Sequence, residues 1–539
     1  MSAGIPKSGT PVSYDEHIRP LFREKDRESM RFAFDLWSCE DVSANATAIF
    51  EQVSTGAMPC DGAWPAERVE LFRRWMDTGM RETASDPVPE SPARAEPSGA
   101  STASVEAIGG RLRSVLDLRT GQHVDERAIV IENRSPLIYM LCTAAELEHA
   151  LMCEYLFAAF SLKRSVDEGL THEQLTAVER WRATILMVAK QEMLHLAIAC
   201  NLLTSIGIGP HLSRPNLPQP ARHYPSGVRL EMLPFGEQAL RHFLFLERPE
   251  GMDLNDAEGL AAIEHAIPVT GTEEIAPHLQ EFRTVGHLYR SIEAGFRHLA
   301  EQMGEENLFL GPSGSQTRGE LFGWRELGPI SNTDDAVRAI EAIVEQGEGP
   351  RGDWRNAHFG RFLSVLNEYL QVRQNAPGLE VTRPVLPVLV RPPETGGEAD
   401  LITDPATARV ADLCNVAYEM LLHVFYRLMS HIDESADKIG VLATVAVGLM
   451  TDVIGPLADI LSTMPVGPEH PGRTAGVTFE LFYQPDYLLP HRKAAWLVGA
   501  ELLTDAAATA QTEMRRDRRL EPVMSALRSQ AQALRENAV

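Results

Sequence analysis

Long basic clusters are missing from this chain, as are paired cysteines, signal-peptide features and the period-two alternation of half-buried strands. Lys and Arg number 50 against 75 Asp and Glu, a formal charge of −25, and no segment gathers the cations that a phosphate backbone requires. A nucleic-acid partner is therefore not expected. The six cysteines include no Cys-x-x-Cys, and Cys142, Cys153 and Cys200 lie inside apolar stretches, where they read as small hydrophobes in a reducing compartment. The N-terminus has no basic start ahead of an apolar core, and no run of about 18 apolar residues follows. The expectation is a cytoplasmic, soluble protein with no membrane span. At 539 residues the chain exceeds what one core usually holds, so two or three units are expected.

What is present is helix. From Ile138 to Gly207 the sequence reads as two long Ala-, Leu- and Met-rich helices without Pro, the second running from Trp181, with a polar break from Arg164 to Glu173 between them. Each carries acidic residues where a core has none. Glu148 and Tyr155 lie one heptad apart and share a face with Leu151 and Met152. Glu192 and His195 project side by side from an apolar helix. A buried carboxylate without a partner is costly, and a metal ion is the common partner for two carboxylates and an imidazole. Helical bundles build carboxylate-bridged metal sites from a lone Glu on one helix and Glu-x-x-His on the next. Glu148, Glu192 and His195 are thus the primary candidate ligands.

The rest of the chain divides by composition. Residues 1–80 form a small helical unit whose Gly56-Ala57-Met58-Pro59 turn and Trp75 to Gly79 ending resemble half of a small c-type cytochrome. It lacks the Cys-x-x-Cys-His that attaches haem, so it reads as a haem-free docking or oligomerisation module. Residues 81–108 are a Pro-, Ala-, Ser- and Glu-rich linker. Within 109–395 follow a shorter helix from Phe235 to Glu247, a third bundle helix over 284–303, and a fourth starting at Thr333-Asp334 and broken at Gly347 to Pro350. Residues 396–513 form a second helical layer, and 514–539 a polar tail, frayed or meeting a partner. Glu419 and His423, one turn apart in that layer, read as a surface hydrogen bond.

The segments ELEHALMCEYLFAAFSLK, QEMLHLAIACNLLTSIGIGPHLSRPNLP, TVGHLYRSIEAGF, IVEQGEG and AHFGRF occur in the order found in ferritin-like proteins related to iminophenyl-pyruvate dimer synthases. The chain resembles that family over residues 109–513, which implies an all-α, ferritin-like helical bundle with a C-terminal helical layer. The resemblance implies an oxidoreductase using mono- or dinuclear non-haem iron, with dioxygen or peroxide, on a small amino-acid-derived imine. No motif marks a haem pocket, and haem stays open. By position, it adds His287, Glu348 and His358 to the ligand set. His287 stands one place after Gly286 where the family has Glu, and Glu293 is its rival. Arg355 occupies the place where a regular Glu-x-x-His would put its Glu. The Gly-flanked break is expected to fold the chain back and bring Glu348 and His358 onto one ion or a bridged pair. Tyr155 and Tyr289 are the candidate catalytic residues, as hydrogen-bond or proton donors to bound oxygen, with buttressing of a ligand as the other reading. An iron-binding or peroxide-handling protein and a metal-free scaffold are the alternatives, and a homo-oligomer is open.

Overall fold

A computed structural model describes residues 12–83 in part, and 128–219, 229–250, 284–349, 354–393, 399–430, 434–483 and 491–538, with single residues at 252, 254 and 282. The chain forms two compact units, Met1–His123 and Val124–Val539.

The first unit contains helices α1 (Cys39–Ala44) and α2 (Ala66–Asp77) around an aromatic core of Tyr14, Phe22, Trp64, Phe72 and Trp75. The Tyr14 hydroxyl donates to the Leu36 carbonyl at 2.7 Å, and the Trp75 indole donates to the Arg81 carbonyl at 3.0 Å. Both large polar-tipped rings are buried with their polar atoms satisfied. The turn with Met58 and the linker over 84–127 lie outside the described residues.

In the second unit, α3 (Arg134–Ser161) and α4 (His172–Ser205) pack along their length. Asn133 caps α3 by accepting the Ser135 N–H. Thr171 and Gln174 form a reciprocal capping box on α4, so this helix begins within the polar stretch read as a break, well before Trp181. Around them stand α5 (Glu237–Leu246), α6 (Val285–Met303), α7 (Thr333–Gly347) and α8 (His358–Asn375). α6 and α7 pack together, as do α5 and α8, and both pairs reach α3 or α4. By length and composition α4 and the stretch Ala436–Leu461 would cross a membrane, but both are mostly buried within the unit, as core helices are.

The second layer holds α9 (Pro405–Met429), α10 (Ala436–Gly448), a π-helical turn Leu449–Ile454, α11 (Gly455–Leu461), α12 (Arg492–Glu513) and α13 (Leu520–Asn537). Pro456 offers no N–H, and the turn just before it takes the wider π form. α13 corrects the reading of a frayed tail. Leu520, Val523, Leu527, Ala531 and Leu534 recur on one face, are buried, and seal α10 and α12. Arg427 and Glu434 form a buried ion pair that also accepts the Trp496 indole N–H at 2.7 Å. Two residues of strand, Val385–Leu386, pair in parallel with Thr474–Ala475 across the Pro-rich crossing. α9 and α11 contact the bundle at α4 and α3. Arg214 ties the layers further, donating to the Phe479 carbonyl at 2.6 Å and the Tyr418 hydroxyl at 3.3 Å.

Candidate metal centre

Five donors converge between α3, α4, the end of α5 and the start of α8. Glu148, Glu192 and His195 make one trio and Glu192, Glu247 and His358 a second, with the ligand atoms of each within 4.8 Å of one another. All five residues are buried. Glu192 belongs to both trios, one oxygen facing each imidazole. Its Oε2 lies 2.8 Å from His195 Nδ1 and its Oε1 2.9 Å from His358 Nδ1. His195 Nδ1 is also 3.5 Å from Glu148 Oε2, and His358 Nδ1 3.4 Å from Glu247 Oε2. The two rings stack with centroids 5.4 Å apart.

Helix geometry sets this convergence. Positions 192 and 195 are neighbours on one face of α4, and 148 stands on the adjoining face of α3. Glu247 caps the C-terminal end of α5, and His358 is the first residue of α8. Glu148 Oε2, Glu192 Oε1 and both nitrogens of His358 lack an aligned hydrogen bond although their neighbours are close. Lone pairs crowded together at distances of about 3 Å without hydrogen-bond alignment suit a cation between them. Two imidazoles and three carboxylates match the donors that borderline divalent metals such as iron accept.

Electrostatics agree with that donor set. Burial and then the Glu192 charge push the Glu148 carboxyl up to about 7. Burial alone would lower His358, but Glu192 and Glu247 carry it up to about 9. For His195, burial is likewise outweighed by the Glu192 and Glu148 carboxylates, which hold it well above its ordinary range. Without metal, protons on the imidazoles supply the positive charge. A cavity of about 20 Å³ borders both trios, lined among others by Tyr289, Arg248, Gly286 and Glu348. That is room for a water molecule or an ion.

The phenols of Tyr155 and Tyr289 occupy matching places. Tyr289 donates to Glu148 Oε1 at 2.7 Å and Tyr155 to Glu247 Oε1 at 2.5 Å. Each phenol thus backs a carboxylate of one trio, the arrangement of a group that buttresses a ligand.

The other sequence candidates stand outside the two trios. Glu348 and His358 lie on separate helices and border the same cavity, but Glu348 enters neither trio. Its carboxylate is drawn to Arg290 at 3.1 Å and to the N-terminal turn of α6, where a Cβ at Gly286 would overlap it. Pro350 lies outside the described residues. His287 is the third residue of α6, its backbone N–H held by the Thr284 hydroxyl, and it is in neither trio. Its rival Glu293 pairs with Arg297 on the outer face of α6. Arg355 is exposed in a 3-10 turn, Trp354–Asn356, ahead of α8, so no helical turn exists there to carry a Glu-x-x-His. Glu419 and His423 are buried, and Glu419 accepts the Tyr483 backbone N–H at 3.0 Å, which a surface pair would not do.

Sequence reasoning missed Glu247. The signal was a carboxylate at the C-terminal end of an apolar helix, where the helix dipole disfavours negative charge.

Residues 141–367 match the family model described as ferritin-like. The chain is 28% identical over 394 residues to a dichlorochromopyrrolate synthase from Lentzea aerocolonigenes, covering 66% of this chain and 37% of that protein. It is 26% identical over 377 residues to a 2-imino-3-(indol-3-yl)propanoate dimerase from Chromobacterium violaceum, covering 64% and 34%. The chain thus spans little more than a third of these curated relatives. A solved ferritin-like protein from Caulobacter vibrioides is 16% identical, with 58% of this chain and 96% of that one covered at a TM-score of 0.35.

Proposed function

We propose, on the premise that residues 141–367 are a ferritin-like domain, that this chain is an enzyme using a carboxylate-bridged iron centre to couple or dehydrogenate an amino-acid-derived imine in specialised metabolism. One observation carries the reading: Glu192 is shared by two buried carboxylate–imidazole trios. The relatives' names, one of them a dimerase of an imino acid, supply the substrate class.

Glu148, Glu192 and His195 would hold one ion and Glu192, Glu247 and His358 the other. Bound there, iron supplies acceptance of electrons withdrawn from the substrate, with dioxygen or peroxide as the final acceptor. The chain's own groups set the conditions. Tyr289 and Tyr155 fix the terminal carboxylates, and the apolar walls of α3 and α4 exclude bulk water. Arg248 lines the cavity beside Glu247, its guanidinium donating to the Phe245 carbonyl, and is assigned to a substrate carboxylate in this reading.

The test uses protein loaded with ferrous iron and an imine generated in place from an aromatic amino acid by an amino-acid oxidase. Mass spectrometry is expected to find a coupled dimer with the native protein and none with Glu192→Ala. Loaded protein that forms neither coupled nor dehydrogenated product would overturn the reading. A cavity with room for a water-sized ligand beside the donors favours a second reading, disposal of peroxide at iron, since that substrate is of this size. Peroxide consumption that is equally fast with and without the imine, and yields no coupled product, would select it.

A further inference from the structure

The two trios are alike where they face each other and unlike behind. Each terminal carboxylate receives one phenol, so Glu148 and Glu247 are equally supported. The imidazoles are not. His195 turns Nδ1 toward Glu148 and Glu192 while its Nε2 lies 3.2 Å from Gln346 Oε1. His358 turns Nδ1 toward Glu192 and Glu247, but its Nε2, equally buried, has no hydrogen-bond acceptor among the described residues.

An imidazole that binds a cation through Nδ1 carries its remaining proton on Nε2. For His195 that N–H is received by the Gln346 side-chain carbonyl, which fixes the tautomer and the plane of the ring. For His358 the same N–H is left in packed surroundings, and an unmade hydrogen bond to a buried donor weakens whatever requires that donor. Gln346 owes its place to the end of α7. The helix stops one residue later, at Gly347, with Glu348 turned away to Arg290, so the last turn of α7 offers Gln346 to α4.

We infer that Gln346 is a positioning residue that makes the two metal positions unequal. The position of Glu148, Glu192 and His195 fills first, and that of Glu192, Glu247 and His358 fills second. This rests on the metal-centre reading above and adds to it an order of loading and the residue that sets the order.

Anaerobic titration of the metal-free protein with Co(II) alone, followed by visible absorption and calorimetry, tests it. The native protein is expected to bind in two steps of different affinity. Gln346→Leu is expected to weaken the first step by about 10- to 100-fold and change its absorption bands, while Gln346→Glu, which keeps an acceptor, restores both. Circular dichroism of each variant checks that the helices are formed. Equal affinity at both positions in the native protein, or a folded Gln346→Leu that titrates as the native protein does, would overturn the inference. Native protein that binds no cobalt would instead overturn the metal centre itself.

Discussion

Glu247 and Glu348 border the same cavity, and their neighbours direct them to different work. Glu247 takes the Tyr155 phenol and faces His358, whereas Glu348 answers Arg290 and the start of α6. Glu247→Ala is therefore expected to lose one of two bound ions by elemental analysis, and Glu348→Ala to keep both. The reverse pattern would restore Glu348 as the ligand. Protons and metal also compete for the same atoms. With His358 pushed up to about 9, metal affinity is expected to rise from pH 6 to about pH 9 and then level, read by Zn(II) competition with a chromophoric chelator. Stability of the metal-free protein should move oppositely. A raised imidazole contributes stability that is complete below its unfolded value near 6.5 and is lost as pH rises through about 9. Glu148, raised to about 7, favours the fold only while protonated, so its contribution is lost between about 4.5 and 7. The midpoint of thermal unfolding without metal is thus expected to fall from pH 6 to pH 9, and a flat profile would show that these groups are not held as described.

At the scale of elements, α3 and α4 were legible because apolar residues on nearly every face and the absence of Pro leave helix as the main choice, and carboxylates inside such helices demand partners. The start of α4 was hidden because the capping box lies in a polar stretch whose meaning depends on the helix after it. Thr171→Ala removes that cap and is expected to cost about 1 kcal/mol in denaturant unfolding, with metal content unchanged. The ligands on α5 and α8 were less legible. Glu247 ends a short helix and His358 begins another, so no i, i+3 spacing advertises either. Their meeting is a tertiary fact, set by packing of α5 on α8. α13 was misread because its Arg- and Gln-rich outer face masks an apolar stripe that gains meaning only against α10 and α12. Truncation after Arg519 removes α13, and should expose the apolar faces of α10 and α12 that it covers and lower solubility, measured by sedimentation of the purified variant.

At the scale of the molecule, the first unit has its own aromatic core, and the Pro-, Ala-, Ser- and Glu-rich stretch between Glu82 and Glu106 is too poor in large apolar groups to join two cores. We propose that the first unit is a docking or oligomerisation module. Limited proteolysis is expected to cut between those residues and release a second unit that still binds metal. The proposed metal chemistry rests on the second unit, and within it on Glu192 serving two positions at once. The most direct measurement is the metal content of protein purified without chelator and reloaded with ferrous iron, compared with Glu192→Ala. Two ions per chain in the native protein, both lost in a variant that keeps its helices, is the expected result. Native protein that holds no ion, or a Glu192→Ala variant that holds as much as the native chain, would contradict the shared-carboxylate centre.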